Sequence, residues 1–146
     1  MTSNNDLNLI LVDDDEDDRE FLAHAAQKTG NVQLTCLEGG EQLFHYLQTN
    51  PIVPDGILLD INMPIISGID CLETIRHNDQ WKTIPVIMYS TSDSDNDIKT
   101  TYSMGANLFI KKPSVIAKLR AVIEYLLDNS SWKSLPNSLN DFLIKF

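Results

Sequence analysis

Short apolar runs alternate with longer stretches of helical periodicity along this chain. Each run has the length of a buried strand, and the apolar residues that follow it recur every three or four positions, as on one face of a helix. The predicted strands are Leu7–Val12, Val32–Leu37, Gly56–Asp60, Pro85–Tyr89 and Leu108–Lys111. Five strands that alternate with five helices are typical of an α/β fold built on a parallel sheet.

The C-terminal residues differ in pattern from the rest of the chain. Residues 129–138 are rich in Ser and Asn and indicate a connector, which leads to a short apolar segment, Phe142–Ile144. We therefore assign residues 1–128 to one domain and residues 129–146 to a C-terminal extension. Since folded domains rarely have fewer than about 50 residues, the extension is too short to be an output domain, and none is expected.

Composition and charge narrow the possible partners. The 146 residues, 42% of them hydrophobic and 22% charged, suit one soluble globular domain. The net charge of −10 argues against binding to nucleic acid or to an anionic membrane. Cys36 and Cys71 lack the spacing of a disulfide framework or a zinc site. Because no secretory signal or membrane-spanning run is found, we expect a cytoplasmic protein.

Polar side chains follow four of the five predicted strands. Asp13 and Asp14 follow the first strand, Asp60 ends the third, Ser90 follows the fourth and Lys112 follows the fifth. Because ligands of open α/β sheets bind beyond the carboxyl ends of the strands, we expect these side chains to converge on one rim.

Three carboxylates at one rim require a compensating charge. Two carboxylates about 4 Å apart repel by roughly 4 kcal/mol at an effective dielectric near 20. Either one carboxyl group is protonated or a hard cation lies among them, and oxygen ligands without His or Cys suit Mg²⁺. Mg²⁺, an ammonium and a hydroxyl also stabilise a transferring phosphoryl group, and a carboxylate is a competent nucleophile. The set therefore predicts phosphoryl transfer onto an aspartate.

Four motifs in this order resemble those of the response-regulator receiver domain of two-component signalling. They are Val12–Asp14, Leu58–Pro64, Pro85–Ser90 and Lys111–Pro113. The resemblance covers roughly residues 7–128 and implies a three-layer α/β/α sandwich with a five-stranded parallel sheet in the flavodoxin-like, doubly wound order. A weaker likeness, in the segment Trp132–Pro136, is to the single-domain regulators of bacterial phytochromes.

The resemblance implies a role for each residue of the rim. Asp60 would be the phosphoacceptor, and Asp13 and Asp14 would bind Mg²⁺ together with Asp60 and the backbone carbonyl of Asn62. Lys112 would pair with the phosphoryl charge. The bond between Lys112 and Pro113 would be cis, as is typical of the family.

The resemblance also implies a conformational switch. Ser90 would bind a phosphoryl oxygen and move together with the aromatic switch residue Phe109, while Asn62 and Ser92 would tune the lifetime of the phosphoryl group. The donor would be a sensor histidine kinase or a histidine phosphotransfer protein. The chain would signal through protein contacts and catalyse only its own phosphorylation and dephosphorylation. A homodimer could form through helix 4, strand 5 and helix 5.

Two alternatives stay open. Asp13 and Asp15 after an apolar strand resemble the nucleophile motif of haloacid-dehalogenase-type phosphatases, which would make the chain an enzyme that uses Asp13. A pseudo-receiver would bind partners without being phosphorylated, although the intact set of rim residues argues against it.

Overall fold

A computed structural model describes residues 6–146 of the chain as six strands and six helices. The strands are β1 (Leu7–Val12), β2 (Val32–Leu37), β3 (Gly56–Leu59), β4 (Val86–Ser90), β5 (Leu108–Lys111) and β6 (Leu143–Ile144). The helices are α1 (Glu16–Thr29), α2 (Gly40–Thr49), α3 (Gly68–Arg76), α4 (Asp95–Ser103), α5 (Leu119–Asp128) and α6 (Leu139–Phe142). Short 3₁₀ turns precede α5 and follow it. Among these residues, no helix has the length and apolar character needed to cross a membrane.

All six strands are parallel and lie in the order β2-β1-β3-β4-β5-β6. The chain moves outward in one direction from β1 to β2 and in the other from β3 onward, so the order reverses between β1 and β3. At such a switch point the connections leave toward opposite faces and open a crevice at the carboxyl ends of the strands. The flavodoxin-like order is confirmed.

Two apolar layers hold the helices against the sheet. In β1, Ile10 and Val12 face the layer that packs against α2, α3 and α4, whereas Leu9 and Leu11 face the layer that packs against α1 and α5. This alternation continues in β3 and β4, because successive side chains of a strand point to opposite faces. The predicted three-layer sandwich is therefore confirmed.

The prediction of five strands is wrong, because the C-terminal extension adds a sixth. Leu143 and Ile144 pair in parallel with Phe109 and Ile110 of β5. Phe142, at the end of α6, is fully buried in the core. An apolar segment next to an unpaired strand edge gains both backbone hydrogen bonds and apolar burial, so residues 129–146 fold onto the domain.

Candidate functional site

The adjacent strands β1 and β3 bring Asp13 and Asp60 side by side. Val12 lies opposite Leu59 in the register, and the backbone N–H of Asp60 donates to the carbonyl of Val12 at 3.0 Å. Asp13 is fully buried, Asp60 is 7% exposed and Asp14 is exposed. One carboxylate oxygen from each lies within 4.8 Å of the others. The predicted convergence of these three acids is present.

Gly68, the first residue of α3, lets the backbone approach Asp60 closely. Its N–H donates to the carbonyl of Ile61 at 2.8 Å, and a Cβ atom at this position would overlap the carbonyl oxygen of Asp60. Only glycine permits this approach without displacing the acid. Gly68 therefore fixes the position of the predicted phosphoacceptor, a role that sequence pattern alone did not reveal.

Lys112 is the cation of the rim and contacts three carboxylates. Its Nζ lies 2.7 Å from Asp13 Oδ2, 3.0 Å from Asp18 Oδ2 and 3.4 Å from Asp60 Oδ2, while its side chain is only 7% exposed. Burial lowers the pKa of this ammonium, but its hydrogen bonds and its attraction to the carboxylates outweigh burial, so the pKa lies above its usual value. Lys112 is therefore charged at any physiological pH.

Asp60 is held in an unfavourable environment for a negative charge. Burial is the largest influence and raises the pKa of Asp60 to about 6, since attraction to Lys112 offsets only part of it and repulsion from Asp13 adds to it. One lysine cannot neutralise three acids. The site therefore carries excess negative charge at neutral pH.

Asp13 presents an oxygen suited to a cation. Its Oδ1 accepts from the backbone N–H of Asp15 at 3.0 Å. Its Oδ2 is buried and lies near Lys112, but makes no well-aligned hydrogen bond. A buried carboxylate oxygen with remaining capacity, beside two further carboxylates and without His or Cys, fits a hard divalent cation such as Mg²⁺. Asp13, Asp14 and Asp60 are the residues that would hold it.

Polar residues also lie at the carboxyl ends of β3 and β4. Ser90, the last residue of β4, is fully buried, and its Oγ accepts from the backbone N–H of Ser92 at 3.2 Å. The Oγ of Ser92 in turn donates to Asp97 of α4 at 3.3 Å. Asn62 is exposed in the loop after β3. Because Lys112 N–H donates to the carbonyl of Ser90 at 2.8 Å, the ends of β4 and β5 are tied together at the rim.

Phe109 lies away from the rim, inside the layer formed with α4. It is fully buried and packs edge-to-face on Phe142, with ring centroids 6.1 Å apart. Phe142 makes a second edge-to-face contact with Tyr102 of α4 at 5.4 Å. The predicted switch residue thus touches the C-terminal extension, a contact that no pattern in the sequence indicated.

The expected cis bond between Lys112 and Pro113 is wrong for this structure, in which no described peptide bond is cis. The trans form is intrinsically favoured by about 0.5–1 kcal/mol even before proline. Lys112 is instead aimed into the site by its three carboxylate partners.

Comparisons with known proteins identify the family of this chain. The model of the response regulator receiver domain family matches residues 9–124. The transcriptional regulatory protein PrrA of Mycobacterium leprae is 33% identical over 119 residues, which are 82% of this chain and 49% of that protein. The chain spans about half the length of the first curated relatives it matches.

Two solved structures cover nearly the same part of the chain. The Mn²⁺-bound form of the response regulator Rcp1 superposes with a TM-score of 0.75 at 26% identity, covering 89% of this chain and 99% of that one. A response regulator in red light signaling of R. palustris has a TM-score of 0.76 at 27% identity, covering 90% and 99%. In both cases the likeness covers about nine-tenths of this chain.

Proposed function

Because this chain belongs to the response regulator receiver family, we propose that it accepts a phosphoryl group on Asp60, with Mg²⁺ as cofactor, from a sensor histidine kinase or a histidine phosphotransfer protein. The observation that carries the proposal is the buried cluster of Asp13, Asp60 and Lys112 beside the exposed Asp14. Charge excess at a strand-end crevice attracts a divalent cation, and the ammonium attracts a phosphoryl group.

The transfer follows from the chemistry of these groups. A carboxylate oxygen of Asp60 attacks the phosphorus of the donor, the bond from phosphorus to the donor's histidine nitrogen breaks, and its electron pair returns to that nitrogen. Bound Mg²⁺ would neutralise charge on the phosphoryl oxygens. Lys112 Nζ, 3.4 Å from Asp60 Oδ2, would contact a phosphoryl oxygen attached there. Ser90, buried at the end of β4, would bind another.

The same arrangement suggests how phosphorylation is read out. A phosphoryl group that draws Ser90 inward pulls on Ser92, which contacts Asp97 at the start of α4. Phe109 lies in the layer beneath α4, so its packing shifts with that loop. Two packings of one element that differ by a few kcal/mol suffice for such a switch. Asn62 and Ser92, at the mouth of the site, would tune the lifetime of the phosphoryl group.

Output would pass through protein contacts of α4, β5 and α5. Two basic residues of this face have acidic partners in the chain: Lys111 pairs with Asp93 at 3.3 Å and Arg120 with Glu124 at 2.9 Å. Residues 1–128 would form the receiver unit, with residues 129–146 as its extension. In this structure β6 occupies the edge of β5. A homodimer through this face would use α4 and α5, with the edge of β5 covered.

The phosphatase alternative is less well supported by the geometry. In that reading Asp13 is the nucleophile, and Asp15, the second acid of the motif, would have to protonate the leaving group. Asp15 instead caps α1, where its side chain accepts from the backbone N–H of Asp18 at 3.0 Å. A carboxylate engaged in capping is poorly placed to donate a proton to a leaving group.

Incubation with acetyl phosphate and intact-mass measurement test the proposal. We expect one phosphoryl group per chain, dependent on Mg²⁺ and abolished by Asp60→Asn. Labelling that persists in Asp60→Asn and disappears in Asp13→Asn, with turnover of phosphate esters, would instead indicate the phosphatase. A mass that stays unchanged after prolonged treatment of the wild-type protein would favour a pseudo-receiver.

A further inference from the structure

Asp18 reaches the rim from a different element than the other acids. It lies in the first turn of α1, and its Oδ2 contacts Lys112 Nζ at 3.0 Å. Its neighbour Asp17, one position earlier in the same turn, is exposed. The first turn of α1 contains three acids, Glu16, Asp17 and Asp18. The bond of Asp18 to the lysine of the proposed site is not explained by a general preference for acids at a helix N-terminus.

The backbone around Asp18 is fixed to the end of β1. Asp15 accepts from the N–H of Asp18 at 3.0 Å, and the N–H of Asp15 donates to Asp13 Oδ1 at 3.0 Å. In addition, Arg19 Nη1 donates to the carbonyl of Asp13 at 2.8 Å. These bonds connect the first turn of α1 rigidly to the acid cluster. The backbone of Asp18 is thus held in place beside Lys112, and its half-buried side chain spans the remaining distance.

The other two partners of Lys112 change when the proposed reaction proceeds. Asp13 belongs to the cluster that would bind the cation, and Asp60 gives up its carboxylate charge when it becomes an acyl phosphate. Asp18 lies outside that cluster, which consists of Asp13, Asp14 and Asp60. Of the three carboxylate partners of Lys112, Asp18 is therefore the one that would neither bind the cation nor receive the phosphoryl group.

We propose that Asp18 is a positioning residue, which holds the ammonium of Lys112 beside Asp60 while the cation binds and the phosphoryl group transfers. The inference rests on the proposed function of Asp60 and Lys112. An ammonium with three donors can keep its bond to Asp18 and direct another N–H to a phosphoryl oxygen. Without Asp18, the long and flexible lysine side chain samples other positions.

Loss of the Asp18 charge and loss of its positioning role should change the rate of phosphoryl transfer in opposite directions. Removing one negative charge near the site should speed the approach of an anionic donor. Loss of positioning should slow the transfer. The sign of the change therefore separates the two explanations, and Asp17→Asn serves as the matched control, because it removes the same charge from the same turn without touching Lys112.

The experiment measures the rate constant of labelling by acetyl phosphate at saturating Mg²⁺. We expect Asp18→Asn to lower it about fivefold, on the order of 1 kcal/mol, with the Mg²⁺ dissociation constant changed less than twofold. Asp18→Glu should recover part of the rate, and Asp17→Asn should react as fast as wild type or slightly faster. Wild-type or higher rates in Asp18→Asn, or equal losses in both Asn variants, would overturn the proposal.

A double-mutant cycle shows whether Asp18 acts through Lys112. In a Lys112→Ala background, Asp18→Asn should cause no further loss of rate, whereas a loss of the same size would contradict the positioning role. Failure of the proposed function has a different signature, since wild-type protein would then remain unlabelled or Asp60→Asn would still be labelled. Thermal unfolding of each variant shows that the rates refer to folded protein.

Discussion

The rim at the carboxyl ends of the strands and the edge of β5 are both built from segments distant in sequence, yet only the rim could be anticipated. At the rim, Asp13, Asp60 and Lys112 come from three strand ends and contact one another. At the edge, Phe142 and β6 cover β5. Strand ends of a parallel sheet always meet at one side, whereas the occupant of a free edge depends on which segment happens to fit it.

The largest effect is expected at Gly68, which supports the rim. In Gly68→Ala the added Cβ overlaps the carbonyl oxygen of Asp60, so either α3 or the acid must shift. We expect a loss of stability of roughly 3 kcal/mol and a strong loss of phosphoryl acceptance. Gly39→Ala is the control, because a Cβ there meets no atom within 4 Å. Chemical denaturation measures the free energy of unfolding of both variants. Equal small losses would show that the close approach of Gly68 to the backbone of Asp60 is unimportant.

At the edge of β5, loss of apolar burial alone should destabilise the protein. Phe142→Ala removes a fully buried ring that contacts Phe109 and Tyr102, and a substitution of this kind costs about 3 kcal/mol. The affinity for Mg²⁺ should change little, because no acid of the cluster contacts this ring. Leu139→Ala, at a 40% exposed position of α6, should cost well under half as much. A large change in Mg²⁺ affinity would show that the two regions are not independent.

The layers and the strand order were implied by the resemblance to the receiver family. Sequence patterns predicted the alternation of strands and helices and the rim, because these follow from local periodicity and a general rule of sheet topology. They did not predict the sixth strand, since two residues such as Leu143 and Ile144 carry no periodicity and pair only through a long-range contact. They also did not indicate the contact of Asp18 with Lys112, because it joins residues 94 positions apart. The need for glycine at position 68 depends on the approach of two backbones, which composition does not encode.

A smaller effect concerns the charge on Asp60. Its pKa is about 6 in the folded protein and lower in the unfolded chain, so the folded state binds more protons between about pH 4 and 6. Stability therefore falls as pH rises through this range, and the penalty is complete above it. Asp60→Asn removes the penalty and should stabilise the metal-free protein at pH 8 by on the order of 2 kcal/mol.

The same variant should lose its advantage at low pH, where the wild-type carboxyl group is protonated. Chemical denaturation at pH 4.5 and pH 8 without Mg²⁺ measures the difference in the free energy of unfolding between Asp60→Asn and wild type. Added Mg²⁺ should narrow it at pH 8, because the cation stabilises the ionised wild-type site. An Asp60→Asn protein that is less stable than wild type at pH 8 would contradict the electrostatic account of the rim.

The smallest effect is expected in the loop between β3 and α3. Ile65 has a φ angle of 70° and is 89% exposed, so a β-branched side chain lies in the left-handed region without compensating burial. Ile65→Gly should stabilise the protein by about 1 kcal/mol. Ile52→Gly, at an exposed position without positive φ, should not stabilise it. Thermal unfolding of both variants measures the effect, and equal shifts would show that the conformation of Ile65 carries no strain.

Asp60 and Asp13 have different proposed roles, since Asp60 would receive the phosphoryl group and Asp13 would hold the cation. The modified residue is found by labelling with acetyl phosphate and Mg²⁺, chemical trapping of the acyl phosphate, and peptide mapping by mass spectrometry. We expect the modification on the peptide that contains Asp60 and none on the peptide that contains Asp13. Modification of the Asp13 peptide, with Asp60 unmodified, would show that Asp13 is the phosphoacceptor.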